Sequence, residues 1–175
     1  MRKMLIVIDM QNDFIDGALG TKEAVDIVED VKEKIRSYPA RDVIATMDTH
    51  DERYLETQEG KNLPVVHCVK ETGGWKIRPD IAELLHDAKI YEKPCFGSMP
   101  LAEDLKALSE KEGLELELIG LCTDICVVTN ALFLKTALPE VRISVDASCC
   151  AGVTPEKHLA ALETMRSCQI HVINA

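Results

Sequence analysis

One stretch constrains this chain more than any other: Leu114 to Leu138, reading LELELIGLCTDICVVTNALFLKTAL. It opens apolar and alternating up to Gly120-Leu121, passes through a short polar turn at Cys122-Thr123-Asp124, and continues from Ile125 to Leu138 with apolar residues at helical spacing among good helix formers. That order is strand, tight turn, helix. Cys126 falls in the first helical turn, where unpaired backbone N–H groups and the positive end of the helix dipole favour a thiolate and lower a thiol pKa. Taken alone, Cys126 is either a nucleophile held at a helix start or a small buried apolar residue, as most free cysteines are.

The rest of the chain alternates in the same way. Lys3 to Ile8 is a continuous apolar run of the kind buried on both faces of a parallel sheet. Thr21 to Tyr38 reads as one amphipathic helix with Thr21 as N-cap and Ile27, Val28, Val31 and Ile35 on one face. Asp42 to Met47 is a second strand, Asp48 to Lys61 a polar excursion and Leu63 to Val69 a short extended piece. A helix from Pro79 to Asp87 precedes a strand from Lys89 to Glu92, and a helix from Pro100 to Glu112 stops at Gly113. Beyond the central unit come a strand from Val141 to Val145, a helix from Thr154 with Pro155 at its first position, and a strand from Gln169 to Ile173. Strands alternating with helices predict an α/β, Rossmann-like architecture: a single domain over residues 1–175, three layers deep, with an open parallel sheet covered by helices on both faces.

Composition narrows the partners. A formal charge of −10 disfavours nucleic acid and anionic membranes. No apolar run approaches the roughly 20 residues of a spanning helix. The first apolar run meets the polar turn Gln11-Asn12-Asp13 with no small-residue cleavage site, so a cytoplasmic protein is expected. Seven cysteines, an odd number without CxxC spacing, are expected as reduced thiols. The turn DMQNDF after the first strand lacks the glycines of a dinucleotide site.

Open parallel sheets bind ligands at the carboxyl ends of their strands. Asp9, Lys93 and Cys126 all fall just past strand ends. If they meet, Asp9 can take the thiol proton, Lys93 can stabilise carboxylate and thiolate, and N–H groups near Cys126 can hold an oxyanion, which is the chemistry of acyl transfer. Otherwise Asp9 and Lys93 form a structural ion pair, or Asp9 caps the turn behind it. Asp48-Thr49-His50 puts two side chains of metal-ligand type on one side of an extended segment, with His67 a loop further on. One carboxylate and two imidazoles suit Zn²⁺, Fe²⁺ or Mn²⁺, while Asp48 as the cap of a turn is the alternative.

Asp9 in IDMQNDF, Asp48-Thr49-His50, His67-Cys68-Val69, Lys93 and GLCTDICV, in this order, together resemble the isochorismatase-like cysteine hydrolases, and among them the nicotinamidase/pyrazinamidase branch. The resemblance implies a catalytic triad of Asp9, Lys93 and Cys126 and a cis peptide at Leu121-Cys122. It also implies a divalent metal, zinc before iron or manganese, on Asp48, His50 and His67; in the stretch YLETQEG, Glu59, and after it Glu56, is a candidate for an additional ligand. The substrate implied is a small amide, nicotinamide first; a metal-free hydrolase of another amide, carbamoyl compound or vinyl ether, and a thiol redox or binding protein, are the other classes. Relatives are commonly dimers or larger, so a homo-oligomer is expected.

Phe14 matches an aromatic wall of that branch, and Leu121 and Cys122 at the nucleophile turn are further candidates for the substrate wall. The branch often carries a tryptophan just before the second metal histidine, where this chain has Leu63-Pro64-Val65-Val66. Trp75, the only tryptophan, either enters the pocket from another side or clamps its loop at the surface. Cys95 is a candidate for the pocket wall, Cys149 and Cys150 are read as buried and Cys68 and Cys168 as core, and His158 and His171 as packed or surface residues.

Overall fold

The computed structural model describes residues 1–175. Six strands, β1 (Arg2–Ile8), β2 (Val43–Asp48), β3 (Lys89–Lys93), β4 (Leu114–Leu121), β5 (Arg142–Ala151) and β6 (His171–Ile173), form one sheet in the order β3-β2-β1-β4-β5-β6. Every adjacent pair is parallel. The helices are α1 (Asn12–Ile15), α2 (Lys22–Asp26), α3 (Val28–Arg36), α4 (Gln58–Asn62), α5 (Pro79–Ala82), α6 (Met99–Ser109), α7 (Val128–Ala137) and α8 (Pro155–Ser167). No helix is long and apolar enough to cross a membrane.

The two faces of the sheet separate by the pleat. Met4, Ile6 and Ile8 of β1 join a core with Leu101 and Leu105 of α6, Ala131 and Leu134 of α7, and Leu162 and Met165 of α8. Leu5 and Val7 face the other way, against Ala24 of α2, Val28, Val31 and Ile35 of α3 and Ile81 of α5. Each Val, Leu, Ile or Met among them contributes about 1.5–3 kcal/mol on burial, which is why the continuous apolar run of β1 needs helices on both sides. Hydroxyl caps start three of these helices: Thr21 accepts from the Ala24 N–H, Ser98 from Leu101 and Thr154 from Lys157.

Several boundaries differ from the sequence reading. The helix expected over Thr21 to Tyr38 breaks at Ile27, whose N–H turns to the Val25 carbonyl; the break lets consecutive Ile27 and Val28 both reach the core. The 79–87 helix becomes α5 followed by a tighter turn over Glu83–Leu85. The 63–69 piece joins no strand and makes one bridge, Val69 to His50. β5 runs on to Ala151 because the Asp146 carboxylate takes the Ser148 N–H and hydroxyl within the strand, and the ladder to β4 resumes at Gly120 and Cys150. Gln169, at φ 64, sits in the left-handed region, so the last strand begins at His171. Cys168, expected in the core, is exposed at the end of α8.

One glycine is demanded by the sheet itself. Gly120 pairs with Ile8 at φ 115, and a Cβ there would lie 2.1 Å from the Ile8 carbonyl oxygen. This close approach brings the chain ends of β1 and β4, and with them Asp9 and the nucleophile turn, side by side.

Candidate active site

Asp9, Lys93 and Cys126 converge. β1 ends at Ile8 and Asp9 follows at φ 47, a left-handed conformation that carries the chain out of the sheet plane. Lys93 is the last residue of β3, in register with Asp48 of β2. Cys126 lies in a widened helical turn, Thr123–Val127, that leads into α7. The Lys93 Nζ is 2.7 Å from Asp9 Oδ2, 3.4 Å from Cys126 Sγ, 3.4 Å from Asp48 Oδ1 and 3.1 Å from the Cys95 carbonyl. All three side chains are buried. The peptide Leu121–Cys122 is cis, as the resemblance implies.

The electrostatics follow from this burial. Burial raises the Asp9 carboxyl, with Lys93 and the Thr46 hydroxyl, which donates to Oδ1 at 2.6 Å, restraining the rise. Burial works to lower Lys93, but Asp9, Cys126 and Asp48 around it hold its pKa raised and the ammonium charged. The Cys126 thiol is pushed well up, by burial first and then by Asp9, with Lys93 opposing. The lowered thiol pKa expected from a helix start is therefore corrected: desolvation outweighs the dipole, and the sulfur needs a base beside it. Asp9 Oδ2 has no aligned hydrogen-bond donor despite its ion pair with Lys93, so it retains capacity to accept a proton.

A second cluster adjoins the first. Asp48 ends β2, His50 is bridged to Val69, His67 lies just before that bridge, and Glu59 sits on α4, whose Thr57 cap accepts from the Gly60 N–H. One ligand-type atom from each of Asp48, His50, Glu59 and His67 lies within 4.8 Å of all the others. The His50 Nε2 is 3.0 Å and the His67 Nε2 3.5 Å from Asp48 Oδ2, and Glu59 Oε1 is 3.7 Å from His50 Nε2. His67 Nδ1 meets the Val65 carbonyl at 2.8 Å, which makes it the N–H donor and leaves a lone pair on Nε2 facing the cluster. His50 Nε2 is buried without a hydrogen-bond partner. An orphaned imidazole nitrogen, a second one oriented from behind and two carboxylates fit a divalent cation. Burial pushes the Asp48 carboxyl up, but His50, His67 and Lys93 outweigh it and hold it well below the usual carboxylate range.

Asp48, Glu59, His67 and Cys126 face a narrow cleft of about 40 Å³ whose other walls are Phe14, Leu19, Leu63, Phe96, Cys122 and Ile125. Of the five residues considered for the wall, Phe14 and Cys122 line this cleft, while Trp75, Leu121 and Cys95 do not. The Trp75 indole N–H donates to Thr49 Oγ1 at 2.9 Å and the ring takes the Lys70 ammonium at 6.0 Å, satisfying both its polar edge and its face away from the cleft. Leu121 is held in the core on the α3 side by the β4 pleat. Cys95 is exposed, and only its carbonyl serves the site. His158, on α8, meets the hydroxyl of Thr123 at 2.8 Å, and burial depresses its pKa.

Sequence reasoning missed several supporting residues. Gln11 is buried and bonds Asp48 on both sides, Oε1 accepting from its N–H and Nε2 donating to its carbonyl, each at 2.8 Å. Tyr54 packs its ring 4.7 Å from His50 and 4.9 Å from His67. Thr46 and Asn130 complete the set, and Leu19, Leu63, Phe96 and Ile125 wall the cleft. A polar residue at an apolar position of a predicted strand or helix, as at Thr46 and Asn130, is the one signal the sequence carried.

The isochorismatase domain model matches residues 3–175, and the chain belongs to that family. It is 26% identical over 186 residues to the nicotinamidase/pyrazinamidase of Mycobacterium tuberculosis, covering 98% of each chain. It is 31% identical to an uncharacterised isochorismatase family protein of Bacillus subtilis, over 93% of each. Among solved structures, the pyrazinamidase of Pyrococcus horikoshii in complex with zinc superposes with a TM-score of 0.82 at 28% identity, over 100% of both chains.

Proposed function

We propose that this protein is a metal-assisted cysteine amidohydrolase that converts nicotinamide, or pyrazinamide, to the corresponding acid and ammonia. The observation that carries the reading is the placement of Cys126 and Asp48 in one cleft with Lys93 between them, 3.4 Å from each. Zinc is the metal of choice, with iron or manganese as alternatives, held by Asp48, His50, His67 and Glu59. When bound, such a cation supplies Lewis acidity that orients the substrate and lowers the pKa of water.

The chain's own residues perform the proton and bond changes. Asp9 Oδ2 accepts the thiol proton of Cys126, and the ammonium of Lys93 stabilises the thiolate as it forms. The sulfur attacks the carboxamide carbon, and the N–H groups of the turn that carries Cys126 stabilise the oxyanion. The intermediate collapses to a Cys126 thioester as Asp9 returns the proton to the departing ammonia. Asp9 then takes a proton from water, the hydroxide displaces the sulfur, Asp9 gives that proton back to the departing thiolate, and the acid leaves. Phe14, Phe96, Leu19 and Ile125 exclude bulk water and present apolar walls to a flat ring. A small molecule is the natural partner of so narrow a cleft. Seven free thiols support a cytoplasmic setting, and self-association is part of the same reading.

The test is ammonia release from nicotinamide and pyrazinamide, with and without chelator. Cys126→Ala is expected to abolish turnover while the melting curve and bound metal stay as in the parent; full turnover in that variant would end the proposal.

A further inference from the structure

Asn130 is a buried polar side chain of α7 that does not line the cleft. Its Nδ2 donates to the Phe96 carbonyl at 2.9 Å and to the Cys126 carbonyl at 2.8 Å, and its Oδ1 accepts from the Ser98 N–H at 3.0 Å. Two carbonyls and one N–H allow a single orientation of the amide, since the reverse would set oxygen against two oxygens. One side chain thereby ties the nucleophile turn to the loop that carries Phe96. From the other end Lys93 holds the Cys95 carbonyl, and Ser98 is fixed as the cap of α6, so the segment from Cys95 to Ser98 is fastened on both sides of Phe96. Phe96 is itself 39% exposed, so apolar packing contributes little to holding its ring at the cleft wall.

We propose that Asn130 is a positioning residue that sets the Phe96 wall at a fixed distance from Cys126 and so selects planar aromatic amides over small aliphatic ones. The inference rests on the amidohydrolase reading above and extends it to selectivity. A flat ring uses the face of Phe96 across its whole width. A short aliphatic amide reaches the sulfur without touching that wall and is indifferent to where it stands.

Asn130→Leu keeps the branched outline with added bulk and removes both donated bonds and the accepted one; Phe96→Ala removes the wall at a partly exposed position. Three quantities separate selectivity from stability: KM and kcat for nicotinamide, and the rate at which iodoacetamide, a small aliphatic amide, alkylates Cys126 as followed by peptide mass spectrometry. Both variants are expected to raise the nicotinamide KM about tenfold, with kcat changed less than about threefold and the alkylation rate within about a factor of two. A loss shared equally by KM, kcat and alkylation would mean a merely structural Asn130 and overturn the inference. An unchanged nicotinamide KM in Phe96→Ala, in a parent that hydrolyses nicotinamide, would overturn it alone. A parent that releases no ammonia from any aromatic amide would overturn the reaction and the selectivity together.

Discussion

Asp48 divides its carboxylate: Oδ1 lies 3.4 Å from the Nζ of Lys93, while Oδ2 lies 3.0 Å from His50 on the other side. The Asp9–Lys93–Cys126 group and the imidazole cluster therefore meet at one residue, and that residue is clamped through its backbone by Gln11. A change at Asp48 is felt by both halves of the site at once.

Asp48→Asn keeps the shape and the Gln11 clamp but removes the charge. Replacing even a partner behind a metal ligand costs about 10–100-fold in affinity, so loss of the ligand's own charge is expected to weaken zinc binding by at least about 100-fold. Equilibrium competition with a chromogenic chelator measures it. Stoichiometric, tightly held zinc in this variant would remove Asp48 from the ligand set.

Gly120→Ala tests the junction of β1 and β4. At φ 115, and with the Ile8 oxygen 2.1 Å from where the methyl carbon would sit, the new side chain has neither the backbone conformation nor the space. The two strands must part, and a loss of about 4 kcal/mol or more is expected in urea unfolding. A parent-like midpoint would show that the junction yields without cost.

A pH signature lies away from the cleft. Lys34 of α3 bridges Glu117 on β4 at 2.8 Å and Asp146 on β5 at 2.6 Å. Burial pushes the Asp146 carboxyl up, but Lys34, Ser148 and Asn174 overcome it and hold it below its ordinary value. Burial also works to lower Lys34, and its two carboxylates hold it above. A depressed acid contributes stability that is present above its unfolded pKa, about 3.9, and is lost as pH falls through the folded value. A raised base contributes stability that is complete below its unfolded pKa, about 10.4, and is lost as pH rises through the folded value. Lys34→Met is therefore expected to cost about 2 kcal/mol at pH 7, and the difference from the parent to shrink as the pH is lowered past the Asp146 transition. A difference constant from pH 7 to pH 2 would contradict the assignment.

How far the sequence could be read depended on the range of the interactions. The stretch of β1 from Met4 to Ile8 is legible because a segment buried on both faces must be apolar at every position, and α8 because Thr154 and Pro155 announce its start locally. Asp9, Lys93 and Cys126 were legible because parallel strands bring their carboxyl ends to one edge, whatever the sequence between them. Gln11, Thr46 and Asn130 were not, since their hydrogen bonds reach 37, 37 and 34 residues away and leave no local period. Trp75 reads equally as a pocket residue or a loop clamp, because its position is set by one acceptor, Thr49, across 26 residues. The Cys126 thiol departs from its expected direction for a related reason: a helix start is visible in a sequence, but the depth at which it is buried is a property of the whole fold.

β3 stands at the outer margin of the sheet, with β2 as its one neighbour, and Lys93 is its last residue. Lys93, the cation of the proposed chemistry, is thus carried by an edge strand tied on one side only, while Asp9 and Cys126 follow the two central strands. Elements with few packed neighbours open locally at lower cost than the core of a fold. Warming should accordingly silence this enzyme while its centre is still intact, an inactivation that cooling reverses because little has come undone.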